Sequence, residues 1–256
     1  MAKRKVIFHY HIFKNAGTSF NHALREAFGD SFIEFDGECA SDVITPSQIA
    51  ETIQNTPAGR AFSSHQGMLP LPIMDDCEIL GTLLLRHPLA RIRSIYQFER
   101  KQQASSQGAI KAKEFSFGDY LRWRWAQSPA FFCFQAFYCA RTESHKGYIP
   151  LETILERALR NLATLKCVGT VESYSRFLGK SQMLLEEMAV DRELPAFHAN
   201  ASEAASADRE RIWSEILAGT DKGFCEMIEP LLKLDENLWE KFHNPADSPN
   251  PVPSWP

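Results

Sequence analysis

Two stretches of the chain carry residues suited to gripping phosphate. In "HYHIFKNAGTSFNHALREAF", residues 9–28, an apolar run stops at Lys14, and one glycine and two hydroxyls follow before an amphipathic pattern begins. A loop between a strand and a helix offers free backbone N–H groups and the positive end of the helix dipole. Gly17 would let a phosphate approach the backbone, Lys14 supplies a point charge, and Thr18 and Ser19 supply hydroxyl donors. The same residues also read as an ordinary turn with a surface lysine. They do not form a Walker A motif, because the lysine precedes the glycine and no second glycine comes before it. In "LLLRHPLARIRSIY" an apolar run ends at Arg86, and Ser94 follows eight residues later, about two helical turns on. Arginine suits a bidentate grip on phosphate. Arg86 in a structural ion pair, with Ser94 a small helix residue, is the plainer alternative.

These residues need a scaffold that brings two strand ends together. "KVIFHYHIF" reads as a first strand, with Thr18 or Ser19 capping a helix that runs to about Phe28. "SFIEF" and "RAFSSH" read as short strands, the latter ending at His65. "TPSQIAETIQN" between them is a helix with a capping hydroxyl and Pro46 in its first turn. "EILGTLLLR" is a near-continuous apolar run, the mark of a strand covered on both faces. Pro88 suits the first turn of the helix that follows. "QASSQGAIKAKE", residues 103–114, reads as a mobile loop. Helices follow to residue 164, then a strand "LKCVGT", the helix "ESYSRFLGKSQMLLEEMAV", the loop "RELPAFHANAS" and two more helices. Pro230 should kink or split the last of them. Strands alternating with helices predict an α/β three-layer sandwich around a mostly parallel sheet. Ligands bind such sheets at the C-terminal strand ends. Residues 1–243 read as a single domain and the Pro-rich 244–256 as a tail.

The 256 residues carry a net charge of -4, which argues against a generic nucleic-acid or membrane-surface binder. The charge is uneven: from Arg86 to Arg124 nine Lys or Arg face three Asp or Glu. Solvated helix faces explain each basic residue singly, while the excess as a whole hints at a nearby anion. No apolar run reaches the roughly 18 residues a membrane span needs, and the basic start lacks a signal-peptide core. The expectation is a soluble cytoplasmic protein. The six cysteines form no CxxC pair and no zinc spacing, so they read as reduced and mostly buried thiols.

Taken together, the pieces resemble the sulfotransferases that use 3'-phosphoadenosine 5'-phosphosulfate (PAPS), most closely the carbohydrate enzymes of the heparan 2-O-sulfotransferase type and their bacterial relatives. "HIFKNAGTS" resembles their HIPKTGGTS-type loop, and "LLLRHPLARIRSIY" their LRDPVERxxSxY-type element. "LKCVGTVESYSRFLGKSQMLL", "LPAFHANAS" and "LDENLWEKF" resemble later family segments in the same order. Phe13, Asn15 and His87 depart from the family's usual proline, threonine and aspartate.

The resemblance implies a sulfotransferase fold related to P-loop nucleotide kinases. It implies that Lys14, Asn15, Ala16, Gly17, Thr18 and Ser19 wrap the 5'-phosphosulfate, and that Arg86 and Ser94 hold the 3'-phosphate. Lys14 would also stabilise charge on the bridging oxygen, and no metal is required. The acceptor is a hydroxyl, on a glycan or a small metabolite, and it needs a general base. The expected base is His65, in the segment where the family's hexuronic enzymes carry an HGH-type pair; histidine's usual pKa of about 6.5 suits the role. A histidine that merely hydrogen-bonds at a strand end is the alternative. His11 reads as support for the loop and His9 as structural. The aromatics Trp123, Trp125, Phe131, Phe132, Phe134, Phe137 and Tyr138 read mainly as core, with one or two free to stack on adenine or sugar. The 103–114 loop, with Lys111 and Lys113, could close over the ligand. Rival readings are a P-loop nucleotide kinase and a binding module without catalysis. Oligomeric state is not encoded in any pattern here.

Overall fold

A computed structural model describes residues 3–39, 41–143, 149–196 and 205–243. The 244–256 tail and most of the "LPAFHANAS" segment lie outside the described residues. Five strands form a parallel sheet: β1 (Arg4–Tyr10), β2 (Phe32–Glu34), β3 (Ala61–Ser64), β4 (Cys77–Leu85) and β5 (Cys167–Thr170). Their order is β2-β3-β1-β4-β5. The chain leaves β1 toward one edge and β4 toward the other, so the strand order reverses at the β1–β4 pair. Open parallel sheets bind ligands outside the strand ends at such a reversal.

Alternation along β1 separates two apolar layers. Val6, Phe8 and Tyr10 pack against α2 (Pro46–Asn55), α6 (Phe134–Ala140), α7 (Leu151–Leu162) and α10 (Lys222–His243). Ile7, with Leu80 and Leu84 of β4, packs against α1 (Gly17–Phe28) and α8 (Tyr174–Glu187). This is the three-layer α/β arrangement. A third apolar cluster joins α3 (Pro88–Lys101), α4 (Gln107–Glu114), α5 (Phe117–Gln127), α9 (Ala205–Gly219) and the start of α10. Five of the six cysteines are buried, Cys39 is exposed, and all six are free thiols. No helix among the described residues is long and apolar enough to cross a membrane.

Four local expectations are corrected. β1 stops at Tyr10, so His11 and Phe13 belong to the turn beyond it. α1 begins at Gly17 behind a left-handed Ala16, and no side chain caps it, so Thr18 and Ser19 are not capping residues. The segment 103–114 is not a loop throughout. Ser106 caps α4, accepting from the Ala109 N–H at 3.3 Å, and the small residues Gly108, Ala109 and Ala112 are buried, with Gly108 against Glu99 of α3. Small residues there permit close helix approach, and Ala, Lys and Glu favour helix. Finally, Pro230 sits inside an undivided α10, whose flanking Ile228, Leu231 and Leu232 are buried; that packing compensates for the lost backbone bond.

Candidate functional site

The ends of β1, β3 and β4 open onto one cavity of about 560 Å³. Lys14, Ala16, Gly17, Thr18, Ser19, His65, Arg86 and Ser94 all line it. The structure therefore brings together eight of the nine residues singled out from sequence. No Asp or Glu is among the lining residues.

The β1–α1 turn is built with unusual backbone. Lys14 and Ala16 hold φ of 66° and 59°, the left-handed region that non-glycine residues rarely enter. Such strain costs on the order of 1 kcal/mol or more per residue and gathers at functional sites. The N–H of Ser19 turns back to the Ala16 carbonyl at 3.0 Å, while those of Gly17 and Thr18 meet no backbone carbonyl among the described residues. The hydroxyls of Thr18, Ser19 and Ser94 make no hydrogen bond within the described residues, so they remain available to a ligand. Gly17 earns its place differently from the sequence reading. A Cβ there would lie 2.0 Å from the His11 ring, so the side-chain space is filled by His11 and not reserved for an incoming phosphate.

Asn15 is the predicted ligand residue that the cavity leaves out. It is buried, and its amide donates to the Leu84 carbonyl at 2.8 Å and to Gln135 Oε1 at 2.7 Å. Its contribution is to fasten the β1 turn to the end of β4. Gln135 also accepts from the Arg86 N–H at 2.8 Å and donates to the Arg86 carbonyl at 2.8 Å. Asp235 of α10 in turn accepts from the Gln135 and Ala136 N–H groups. Gln135 and Asp235 thus couple the two strand ends; Asp235 lies in the "LDENLWEKF" segment, to which the sequence reading gave no role, and Gln135 was not singled out.

The cations of the cavity have no carboxylate of their own. Lys14 Nζ rests 4.3 Å from the centre of the Phe98 ring, a cation–π contact. Partial burial, then the charge of Arg86, lowers the Lys14 pKa. Arg86 donates to the Lys14 carbonyl at 3.1 Å, and burial lowers its pKa, with Glu172 acting in the opposite direction. Neither cation forms an ion pair among the described residues. An anion between them would relieve both the burial cost and their mutual repulsion.

One face of α3 completes the wall. Ser94, Gln97, Phe98 and Lys101 line the cavity at spacings of three and four, one stripe of a helix. Sequence reasoning picked out Ser94 alone; continuing its stripe would have found the rest. Val171, which it did not assign, and His11, which it read as support for the loop, also line the cavity. The aromatics expected as stacking candidates, from Trp123 to Tyr138, do not reach the cavity; Phe13 and Phe98 are the aromatic rings there. Lys111 pairs with Glu114, and neither Lys111 nor Lys113 lines the cavity in this structure.

His65 follows β3 directly. Its N–H donates to Asp36 at 2.8 Å, and its ring Nδ1 lies 3.1 Å from the His11 carbonyl. A carbonyl can only accept, so Nδ1 carries the proton and Nε2 keeps its lone pair. His9 is buried, bonded to Thr82 Oγ1 at 3.0 Å, and burial pushes its pKa down to about 3, as expected of a structural histidine. Among the described residues no group of three or more His, Cys, Asp or Glu is placed to hold a metal ion.

No protein-family model matches the chain. It is similar to an uncharacterized protein of Archaeoglobus fulgidus, at 27% identity over 246 residues, which is 93% of this chain and 96% of that protein.

Proposed function

We propose that this protein is a sulfotransferase that moves the sulfuryl group of PAPS to an acceptor hydroxyl on a carbohydrate. One observation carries this reading: a single carboxylate-free cavity gathers cations and free hydroxyls from the β1 and β4 ends, with a tautomer-fixed histidine from the neighbouring end of β3. The donor set fits a nucleotide bearing two separated anionic groups. Lys14, the Gly17 and Thr18 amides and the Thr18 and Ser19 hydroxyls would hold the 5'-phosphosulfate. Arg86 and Ser94 would hold the 3'-phosphate, with Asn15 supporting both arms from beneath. His65 Nε2 takes the acceptor's proton as the acceptor oxygen bonds to sulfur. The S–O bond to the 5'-phosphate breaks, and Lys14 neutralises the charge left on that oxygen. This is positioning plus electrostatics, as in phosphoryl transfer. The three-layer parallel sheet supports the P-loop-kinase-like sulfotransferase fold, and the reading takes the enzyme as cytoplasmic and of the bacterial type.

A nucleotide kinase would need groups for Mg²⁺, and the cavity lining offers no carboxylate for it. Calorimetric titration with adenosine 3',5'-bisphosphate (PAP), beside ATP with Mg²⁺, on wild type and Arg86→Ala tests the choice. Tight binding of the bisphosphate, lost in the variant, supports sulfuryl transfer. Preference for ATP, or indifference to Arg86, sinks it.

A further inference from the structure

The rings of His11 and His65 stack with centroids 3.7 Å apart and planes tilted by 32°, and both line the cavity. Their protons can be assigned from neighbours. Asn21 Nδ2 lies 2.6 Å from Glu34 Oε1 and 3.3 Å from His11 Nδ1. Turning the Asn21 amide over would set its oxygen against the carboxylate, so the NH2 end must face Glu34. Arg25 pairs with the other oxygen of Glu34 and holds that carboxylate in place. The second Asn21 proton then points at His11 Nδ1, which must accept. The proton of His11 consequently sits on Nε2. Burial, then the charges of His9 and His65, pushes the His11 pKa down to about 2, so the ring is neutral.

His11 Nε2 has no hydrogen-bond partner among the described residues, and unlike Nε2 of His9 it is not sealed from solvent. It is the ring atom left for the cavity. The stacked rings therefore present opposite faces of imidazole chemistry side by side: an N–H donor on His11 and a lone pair on His65.

We infer that these two histidines act as a matched pair, His11 Nε2–H donating to an oxygen of the transferred sulfuryl group while His65 Nε2 accepts the acceptor's proton. The sulfuryl part of this rests on the proposed function; the pair of tautomers does not. A neutral donor suits this position, because it stabilises negative charge growing on the sulfuryl oxygens without giving up its own proton. It also gives Gly17 a purpose, since a side chain there would displace the His11 ring.

The test is long-range proton–nitrogen NMR on 15N-histidine-labelled wild type, first alone, then with PAP, with PAPS and with inorganic sulfate. The expected spectrum shows His11 protonated on Nε2 and His65 on Nδ1. PAPS should move the His11 Nε2 resonance and PAP should not. His11 protonated on Nδ1, or an Nε2 signal unmoved by bound PAPS, overturns the inference. If neither nucleotide binds, the proposed function falls, and sulfate alone then decides whether His11 meets an anion: an unmoved Nε2 overturns the pair. In a turnover assay reading PAP release, His11→Phe should lose about 10²-fold or more in kcat, the scale of one lost oxyanion donor. His11→Gln, whose Nε2 can replace the donor, should recover part of that loss, with PAP affinity within about twofold in both. Equal loss in both variants would mean that His11 serves packing alone.

Discussion

Arginines and lysines in two neighbouring regions of this molecule do opposite work. In the helical layer of α3, α5, α9 and α10 three arginines are matched to acids. Arg93 pairs with Glu215 at 2.6 Å, Arg122 with Asp221 at 2.9 Å, and Arg124 with the largely buried Glu99. Lys14 and Arg86 at the strand ends, with Lys101 from the end of α3, face a shared space whose lining contains no acid. Both groups come from residues of the same type, several of them in one basic stretch of sequence. Charge counting along the chain therefore overstates the ligand-facing charge. What distinguishes a binding cation is a place on the shared cavity with no acid in its lining, and that is a property of three dimensions.

The comparison breaks most decisively at His65, to which the proposed function gives the chemical step in the cation-lined cavity. His65→Ala should lower kcat for sulfuryl transfer by about 10²–10⁴-fold, the usual contribution of a general base. PAP affinity should stay near wild type. A loss of less than about tenfold would reduce the cavity to a binding site.

Exchanging one arginine from each region sharpens the contrast next. Arg86→Ala should weaken PAP by about 10–100-fold, the scale of hydrogen bonds to a charged group, with little change in urea stability. Arg124→Ala should leave PAP binding alone. It strands the Glu99 carboxylate, which also accepts from Tyr120 at 2.6 Å, and should cost about 2 kcal/mol of stability. Matched losses of affinity in the two variants would erase the distinction.

Much of the strand-end half of this comparison was legible in sequence, and the reasons are local. A lysine, a glycine and hydroxyls between an apolar run and an amphipathic one mark a strand-to-helix turn, and the α/β alternation says that such turns gather at one edge of a sheet. The other half was not legible. That Gly17 makes room for His11 depends on the ring's exact path. That Asn15 faces inward depends on Gln135, 120 residues away in sequence. The helix α4 was mistaken for a loop because its small residues look like linker composition, whereas packing against α3 gives that smallness its use.

Titration offers a smaller effect that separates the buried polar groups of the sheet from those of the helical side. Burial lowers the pKa of His9 to about 3 and of His11 to about 2, and lowers that of His87 as well. An unfolded chain binds protons at these positions below the usual histidine value of 6.5, whereas the folded chain does not. Their contribution therefore makes stability rise with pH from about 3 to 6.5. Burial of Asp235 acts in reverse, raising its pKa to about 6, so its contribution makes stability fall between 3.8 and about 6. Three histidines outweigh one aspartate, and unfolding near pH 5 should take up about two protons. Urea denaturation from pH 4.5 to 7.5 should show stability climbing to about pH 6.5. Asp235→Asn should steepen that climb below pH 6; a flat profile would mean these histidines are not held neutral in the fold.

The finest division lies within the basic stretch itself. Lys101 is exposed at the end of α3 yet lines the cavity, while Lys111, ten residues on, is paired with Glu114 and faces elsewhere. An exposed charge is screened within about 8 Å at physiological salt, and such contacts are worth roughly 0.2–1 kcal/mol. Lys101→Ala should therefore weaken PAP by only about twofold to fivefold at low salt, and by less as salt is added. Lys111→Ala should change nothing at any salt. If the two variants behave alike, position along the helix, and not the cavity, sets the charge that a ligand feels, and the boundary between the two regions would have to be drawn at Arg86.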